Sequence, residues 1–383
     1  MQDSKTSRSV PFFDYPHVFT SQESAMLATV RDVGRRGAYI MQRDLEEFEQ
    51  RLAEYVGAKY VLGLANATDA LHFALRAAGI GVGDEVILSS HTMVATPAAA
   101  HFAGATPVPV ECGSDHLINP DAVRDAVTPR TKAIMPTQLN GRTADMDELQ
   151  KIADQYGLLI IEDSAQALGS KFKGRCAGTF GAAGCISFYP AKTLGCLGDG
   201  GCLITNDDKI YESVKLLRDH GRNDQGKVVT WGLNSRLDNL QAAILNNQLS
   251  LYDDAVARRR EIAKLYHSQL EGRDQIVLPP DADSDPDHFD VYQNYEVEVE
   301  NRDQLRAYLH QHGIGSLIPW NGQAVHQLTQ LGFDQSLPYT DRLFQRVLML
   351  PMNTAVSNDD VTYVCQSILK FYCSGASSRT EAA

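Results

Sequence analysis

The chain lacks several features that would assign it to an easily recognised class. Its seven cysteines are scattered and form no Cys-x-x-Cys pair, which argues against a zinc or disulfide framework. Its longest apolar runs are shorter than the ~18–20 residues that span a bilayer. Its first residues, MQDSKTSRSVPFFDYP, lack the apolar core of a secretory signal. We therefore expect a cytoplasmic protein with free thiols and no membrane partner.

Positive charge is also scarce. The sequence has 35 Lys and Arg against 48 Asp and Glu, a net charge of −13. Such a surface repels polyanions, so we expect no nucleic acid partner, although a small anion can still bind in a local basic pocket. The length of 383 residues and the hydrophobic fraction of 43% predict a large core. At ~150 residues per domain, the chain forms two or three domains, or one large α/β unit with an appendage.

Two nucleotide-binding signatures are missing as well. The sequence has no G-x-x-x-x-G-K-[ST] loop, and no G-x-G-x-x-G follows a predicted strand. The stretch GIGVGDE lacks the third glycine and precedes a strand. These absences argue against NAD and ATP as ligands.

The middle of the chain alternates apolar β-rich runs with helical patterns. We predict strands at AKYVLGL (58–64), GVGDEVILSS (81–90), TPVPVE (106–111), TKAIMPT (131–137), LLIIED (158–163), CISFY (185–189) and GCLIT (201–205). Helices are predicted at 68–78 and at MDELQKIADQYG (146–157). This alternation predicts an α/β fold, with a mainly parallel sheet between two layers of helices.

The pattern changes after about residue 235. A long helical stretch, Leu237–Arg260, precedes the polar loop PPDADSDPDHFD (279–290), an alternating strand (291–300) and a helix (302–313). We predict a large domain at residues 1–250, a smaller α+β domain at 251–373, and a flexible tail at 374–383.

The carboxyl end of the strand at 158–163 carries polar residues. Ligands of open α/β sheets bind at these ends, and here the strand delivers Glu162, Asp163 and Gln166. An ionised aspartate can hold the proton of a pyridinium ring and so make pyridoxal an electron sink. The alternative for Asp163 is an acid that caps the strand.

A lysine follows the next strand. Lys192 stands in a loop rich in small residues, and Ser187 lies on the strand before it. A lysine in a partly buried apolar site has a lowered amine pKa, which suits imine formation. The alternative is a solvated surface lysine.

Two further turns are candidates. Asn66, Ala67 and Thr68 join a strand to a helix whose first N–H groups favour a phosphate, or Asn66 is a plain N-cap. Asn234 and Arg236 precede the long helical stretch, where a capping Asn and a surface Arg are the alternatives.

Together these residues have the layout of a pyridoxal-phosphate enzyme with the aspartate-aminotransferase fold (fold type I). Over about residues 10–373 the chain resembles the DegT/DnrJ/EryC1/StrS sugar aminotransferases. The strings that carry the resemblance are NATDALHFAL, GVGDEVILSS, IEDSAQALGSKFKG, SFYPAKTLGCLGDGG, RDHG, GLNSRLDNLQAAIL and LMLPMN.

The resemblance implies pyridoxal 5'-phosphate as cofactor and assigns roles around it. Lys192 resembles the lysine that binds the cofactor covalently and later moves the proton of the substrate carbon. Asp163 would pair with the ring nitrogen, and Gln166 would contact the side of the ring hydroxyl. The residues implied to hold the phosphate are Ala67, Thr68 and Ser187.

The resemblance also implies a homodimer, and at several positions this chain departs from the family's usual residues. Asn234 would reach the phosphate from a partner subunit, which implies a homodimer with shared active sites. Met93 stands where the family often stacks an aromatic residue on the ring. The string Gln138–Arg142 and Asn353 replace the family's usual residues, which bears on the choice of substrate.

The implied reaction moves an amino group from L-glutamate to a keto- or aldehydo-sugar. The strings SSHTMVAT, QLNGRTADMD and HFDVYQNYEVE are most similar to the branch that aminates C8 of a 3-deoxy-octulosonate of lipopolysaccharide; a nucleotide-linked keto-sugar is the alternative. An octulosonate carries a carboxylate, which a guanidinium matches bidentately. The substrate-binding candidates are Arg142, Arg236 and His326.

Two other classes stay open. A subgroup of the family replaces the lysine with histidine and acts as a sugar dehydratase, which Lys192 argues against. A non-catalytic regulator that binds the cofactor would need a DNA-binding or sensory appendage, and this acidic chain shows no sign of one.

Overall fold

The computed structural model describes residues 8–373. Its α-helices are α1 (Tyr15–Thr20), α2 (Glu23–Arg36), α3 (Arg43–Val56), α4 (Ala67–Ala77), α5 (Ala95–Ala103), α6 (Pro120–Ala126), α7 (Met146–Tyr156), α8 (Asp208–Leu217), α9 (Asn239–Leu249), α10 (Tyr252–Leu270), α11 (Arg302–Gln311), α12 (Pro338–Phe344) and α13 (Asn358–Cys373). Its strands are β1 (Tyr60–Leu64), β2 (Glu85–Ser89), β3 (Thr106–Val110), β4 (Thr131–Met135), β5 (Leu159–Asp163), β6 (Lys171–Phe172), β7 (Arg175–Cys176), β8 (Ala183–Ser187), β9 (Gly201–Thr205), β10 (Ile276–Val277), β11 (His288–Phe289), β12 (Tyr295–Val299) and β13 (Val347–Leu350).

A seven-stranded sheet forms the centre of the fold, in the order β1-β9-β8-β5-β4-β2-β3. The pairs among β8, β5, β4, β2 and β3 are parallel, and β9 runs antiparallel between β1 and β8. Helices connect the successive strands from β1 to β5 and cover the sheet, whereas the short strands β6 and β7 lie between β5 and β8 in the chain. The predicted mainly parallel α/β sheet is confirmed.

The two faces of the sheet are buried in separate clusters. On β9, Leu203 packs with Phe73 of α4, whereas the flanking Cys202 and Ile204 pack on the opposite face with Phe48 of α3. Because successive side chains of a strand point to opposite faces, a strand covered on both sides is apolar throughout. This explains the continuous apolar runs in the sequence.

Helix ends follow local signals in the sequence. The side chain of Asn66 accepts a hydrogen bond from the backbone N–H of Asp69 at the start of α4. Asp145 caps α7 in the same way, and α7 ends at Gly157, whose φ of 66° lies in the left-handed region that glycine tolerates.

The long helical stretch predicted at Leu237–Arg260 is wrong, because the structure divides it into α9 and α10. The guanidinium of Arg51 donates to the backbone carbonyl of Asn246 (2.9 Å) and to the hydroxyl of Ser250 (2.8 Å). A continuous helix would use that carbonyl for its own i→i−4 bond. The contact with α3 therefore ends α9, without a proline or glycine to mark the break.

A second, three-stranded sheet has the order β10-β12-β13 and packs with α10, α11 and α13. Val10 forms a parallel bridge with Ile314 and is buried in this core, and Arg8 pairs with Asp360 of α13 (2.7 Å). The start of the described chain thus packs with residues predicted for the small domain. The division at residue 250 stays a prediction, and the tail predicted at 374–383 lies outside the described residues.

Within residues 8–373, no helix combines the length and apolar character needed to cross a membrane.

Candidate active site

A pocket of about 310 Å³ opens at one edge of the central sheet. The carboxyl ends of β1, β2, β4, β5 and β8 meet there, because these strands run in one direction. The lining residues are Asn66, Ala67, Thr68, Leu71, Thr92, Met93, Ala95, Thr137, Asp163, Ala165, Gln166, Ser187, Tyr189, Lys192, Asp199, Gly200 and Trp320. The structure therefore brings together most of the residues that the sequence singled out.

Asp163 is held in the pocket by hydroxyl groups. Its carboxylate accepts from the Thr96 hydroxyl (2.6 Å), and that hydroxyl contacts Thr92 (2.7 Å), which in turn contacts Thr137 (2.8 Å). Burial raises the pKa of Asp163, while the bond from Thr96 and the charge of Lys192 oppose that rise. The sequence analysis missed these threonines; Thr92 and Thr96 stand in the string HTMVAT that flags Met93.

Lys192 reaches the pocket from a turn after β8. Its backbone N–H donates to the carbonyl of Tyr189 (2.8 Å). Burial lowers the pKa of its amine to about 8, although the charge of Asp163 acts in the opposite direction. A large fraction of the amine is therefore neutral near pH 8, and the neutral amine is the nucleophilic form.

The first turn of α4 forms another wall of the pocket. Its leading N–H groups, at Ala67 and Thr68, have no acceptor within the helix and favour an anion. Gly201 of β9 pairs with Ser187 and approaches this turn closely. A Cβ at Gly201 would lie 2.5 Å from the backbone nitrogen of Ala67, so only glycine permits this approach.

The remaining wall is partly apolar. The side-chain oxygen of Gln166 accepts from the backbone N–H of Asn140 (2.8 Å) and from the amide of Asn294 (3.3 Å), which sets the orientation of Gln166. Met93 also lines the pocket and is 51% exposed. Trp320 lines the pocket too, and nothing in its sequence context signals this.

Neither arginine predicted for the substrate is among the described lining residues, and both are paired with acids. Arg142 donates to Asp290 (2.6 Å) and to Asp285 (3.0 Å). Arg236 donates to Asp219 (2.7 Å). A guanidinium already engaged by carboxylates would have to lose those partners before it could bind a substrate carboxylate.

His326 and Asn234 also lie outside the described lining. The imidazole of His326 is buried between the hydroxyl of Ser90 (2.6 Å) and the carboxylate of Asp341 (3.0 Å). Asn234 is exposed, and its backbone forms an isolated antiparallel β-bridge with Asp219. Asn234 therefore does not line the pocket of its own chain.

The pocket has the three features that pyridoxal phosphate needs. They are the amine of Lys192, the buried carboxylate of Asp163 and the anion-binding turn at Ala67 and Thr68, all on the walls of one cavity. The residues present therefore fit this cofactor.

Comparison with known proteins agrees. The model of the DegT/DnrJ/EryC1/StrS aminotransferase family matches residues 20–369. The chain belongs to this family. This chain is a sugar aminotransferase that depends on pyridoxal 5'-phosphate, as the sequence predicts.

Two relatives and one structure illustrate the similarity within this aminotransferase family. The chain is 39% identical to dTDP-3-amino-3,4,6-trideoxy-alpha-D-glucose transaminase of Streptomyces venezuelae over 94% of this chain and 95% of that one. It is 34% identical to UDP-2-acetamido-2-deoxy-3-oxo-D-glucuronate aminotransferase of Pseudomonas aeruginosa over 94% of this chain and 99% of that one. The crystal structure of S. venezuelae DesV superimposes with a TM-score of 0.91 at 38% identity, and the match covers 95% of this chain and 98% of that one.

Proposed function

We propose that this aminotransferase moves an amino group from L-glutamate to the keto group of a nucleotide-linked sugar. The observation that carries the proposal is the similarity to transaminases of nucleotide-linked sugars, at 39% and 34% identity over 94% of this chain. The two arginines that the sequence offers for an octulosonate carboxylate, Arg142 and Arg236, are paired with acids and lie outside the described lining. A nucleotide-linked sugar keeps its anionic diphosphate away from the reacting carbonyl.

The relatives support the same acceptor class. The two described above are named for a dTDP-sugar and a UDP-sugar. The octulosonate acceptor and a role in lipopolysaccharide assembly stay predictions of the sequence. The octulosonate is the alternative outcome of the experiment below.

We assign the residue roles as follows. Pyridoxal phosphate, when bound, supplies an electron sink that stabilises negative charge on the substrate carbon. Lys192 binds the cofactor and then removes and returns the proton of that carbon, for which an amine with a pKa of about 8 is suited. Asp163, oriented by Thr96, holds the proton of the ring nitrogen. The residues assigned to the phosphate are Ala67, Thr68 and Ser187.

Gln166 and Met93 complete this assignment. The bonds from Asn140 and Asn294 hold the amide of Gln166 at the pocket, where it would contact the hydroxyl side of the ring. Met93 would take the place of the stacking aromatic, since a thioether can pack on a ring face.

We also propose a homodimer in which the sites are shared. Asn234 lies on an arm, residues 219–234, whose Trp231 is 89% exposed. An exposed tryptophan with the neighbouring exposed Val228 and Val229 forms an apolar surface of the kind that subunit interfaces bury. In this arrangement Asn234 of one protomer contacts the phosphate in the pocket of the other.

The acceptor is tested with the holoenzyme in two half-reactions. Glutamate is added first, and release of one equivalent of 2-oxoglutarate per site shows the first half-reaction, which a non-catalytic regulator does not perform. A sugar product that carries the amine then separates a transaminase from a dehydratase, whose product is a deoxy sugar. The aminated enzyme is then mixed with a dTDP-linked 3-keto-sugar, a UDP-linked 3-keto-sugar and the 8-oxo-octulosonate. Mass spectrometry of the products and the single-turnover rate rank the three acceptors.

We expect a nucleotide-linked sugar to react at least tenfold faster than the octulosonate. Faster turnover of the octulosonate would overturn the nucleotide assignment and support the sequence-based one. Lys192→Ala serves as the control, because it removes the amine and leaves the pocket walls in place.

A further inference from the structure

A buried cluster outside the cofactor pocket joins the two sheets. It consists of His91, which follows β2, His116, in the turn after β3, and Glu296, on β12. Their exposed fractions are 0%, 9% and 2%. One ligand-type atom of each residue lies within 4.8 Å of the corresponding atoms of the other two.

The cluster contains polar atoms with no partner. Neither ring nitrogen of His91 has a hydrogen-bond partner among the described residues, and neither does Oε2 of Glu296. The Nε2 atom of His91 lies 3.6 Å from that oxygen, too far for a hydrogen bond. Burying unpaired polar atoms costs free energy, so buried groups of this kind normally have a partner that satisfies them. Here two of them face each other across a gap.

The gap has the size that a metal ion needs. Zinc binds imidazole nitrogen and carboxylate oxygen at about 2.0–2.2 Å in a tetrahedral arrangement, which separates neighbouring ligand atoms by about 3.3–3.6 Å. The 3.6 Å between His91 and Glu296 already fits. The Nδ1 atom of His116 is hydrogen-bonded to the other carboxylate oxygen of Glu296 (2.7 Å), and it would exchange this bond for the metal.

The surroundings of His116 also match a metal site. Its second nitrogen, Nε2, faces Oε1 of Glu298 at 3.5 Å, and Arg346 in turn donates to Glu298 (3.1 Å). A ligating histidine commonly has a carboxylate on its other nitrogen, which sets the tautomer and the ring orientation. The ring of Phe344 packs edge-on against His91, which limits rotation of that imidazole.

Room for a fourth ligand lies on one side. A cleft of about 40 Å³ touches His116 and Glu296 and is lined by Asn140, Asn294 and Asp290, among others. This is enough for a water molecule, which needs about 10–15 Å³ of such space and two to four polar partners.

We propose that His91, His116 and Glu296 bind one zinc ion per chain, with water as the fourth ligand. Two imidazoles and a carboxylate are a donor set that zinc favours. His91 directly precedes Thr92 in the chain. The hydroxyl of Thr92 is hydrogen-bonded to that of Thr96, which in turn donates to the carboxylate of Asp163. The ion therefore fixes the loop that orients this carboxylate. It also ties that loop to the second sheet. Its role is structural and separate from the chemistry at Lys192.

The proposal is tested on the holoenzyme with zinc chloride as the probe. The protein is freed of metal with a chelator, dialysed against micromolar Zn²⁺ and analysed for bound zinc and for its melting temperature. We expect one zinc per chain and a rise in melting temperature. A crystal of the same protein, measured on both sides of the zinc absorption edge, should show one anomalous peak among the three residues.

Matched variants separate this site from adventitious surface binding. His116→Gln and Glu296→Gln should each lose the bound zinc and its thermal shift. His326→Gln serves as control, since it alters another buried histidine paired with a carboxylate and should retain both. Absence of stoichiometric zinc, or an anomalous peak elsewhere, overturns the proposal. If the two variants fail to fold, the anomalous map of the unmodified protein decides it.

Discussion

The side chain of Gln293 is hydrogen-bonded to the backbone on both sides of Lys192. Its oxygen accepts from the N–H of Thr193 and its amide donates to the carbonyl of Ala191, each at 2.8 Å. Gln293 precedes β12 in the second sheet, whereas Lys192 follows β8 in the central one. The orientation of the lysine therefore depends on packing between residues about 100 positions apart.

Gln293→Leu should lower kcat by about tenfold while the chain still folds. The variant removes the partners of a partly buried N–H and a partly buried carbonyl, at a cost of up to about 1–3 kcal/mol each, and it frees the lysine turn. Steady-state kinetics and the melting temperature measure the two effects. Gln293→Glu keeps the acceptor for Thr193 and should fall in between. A lower melting temperature with unchanged kcat would limit Gln293 to a structural role.

Lys192→Ala should abolish steady-state transamination and leave the fold intact. The variant loses the amine that we propose both binds the cofactor and moves the proton. Activity, circular dichroism and the visible absorption of bound cofactor are the measurements. Lys173→Ala changes an exposed lysine that directly follows β6 and pairs with Asp147; it is the matched control and should keep full activity. Steady-state turnover by Lys192→Ala would refute the assignment.

Asp163→Asn should reduce kcat by about 10²–10³-fold, the effect of removing one buried electrostatic stabiliser. If Asp163 pairs with the ring nitrogen as proposed, a neutral amide would not keep that nitrogen protonated, whereas cofactor should still bind through Lys192. Glu162→Gln is the control: the adjacent carboxylate accepts from the backbone N–H groups of Gly178, Phe180 and Gly181, so its loss should lower stability instead. A decrease under threefold for Asp163→Asn would place Asp163 in a capping role.

Capture of pyridoxal phosphate by the cofactor-free protein should speed up as the pH rises through about 8. Burial lowers the pKa of Lys192 to about 8, and the neutral amine that reacts predominates above that value. Stopped-flow absorbance across pH 6–10 follows the rate. Asp163 raises the pKa of Lys192, so Asp163→Asn should move the midpoint to lower pH. A midpoint near 10, as for an exposed lysine, contradicts the prediction.

Mixing two inactive variants should restore part of the activity if Asn234 acts across subunits. A dimer of one Lys192→Ala chain and one Asn234→Ala chain has one site with both residues intact. Statistical exchange then yields up to about a quarter of the unmodified activity in a two-fold dimer. Lys192→Ala mixed with Asp163→Asn is the control, because each site of that dimer keeps one defect. Equal activity in both mixtures, or a stable active monomer, argues against sharing.

Much of the fold follows from local sequence patterns. Apolar runs such as LLIIED predict strands that are buried on both faces, and β5 and β8 lie where these runs occur. Because parallel strands end at one edge of a sheet, the residues after them share a pocket. For this reason the sequence alone predicts that Asp163, Ser187 and Lys192 lie near one another, and all three line the pocket.

Tertiary structure decided the partners of these residues. Nothing in the sequence around Arg142 indicates that its guanidinium is paired, because its carboxylate partner Asp290 lies 148 positions away. Asp163 and Thr96 are 67 positions apart. Nothing local links His91 to Glu296, which approach only after the second sheet packs beside the first. The hydrophobic periodicity of a sequence indicates which face of a helix or strand is buried. The pairing of charged and polar side chains depends instead on long-range packing, which only the folded chain determines.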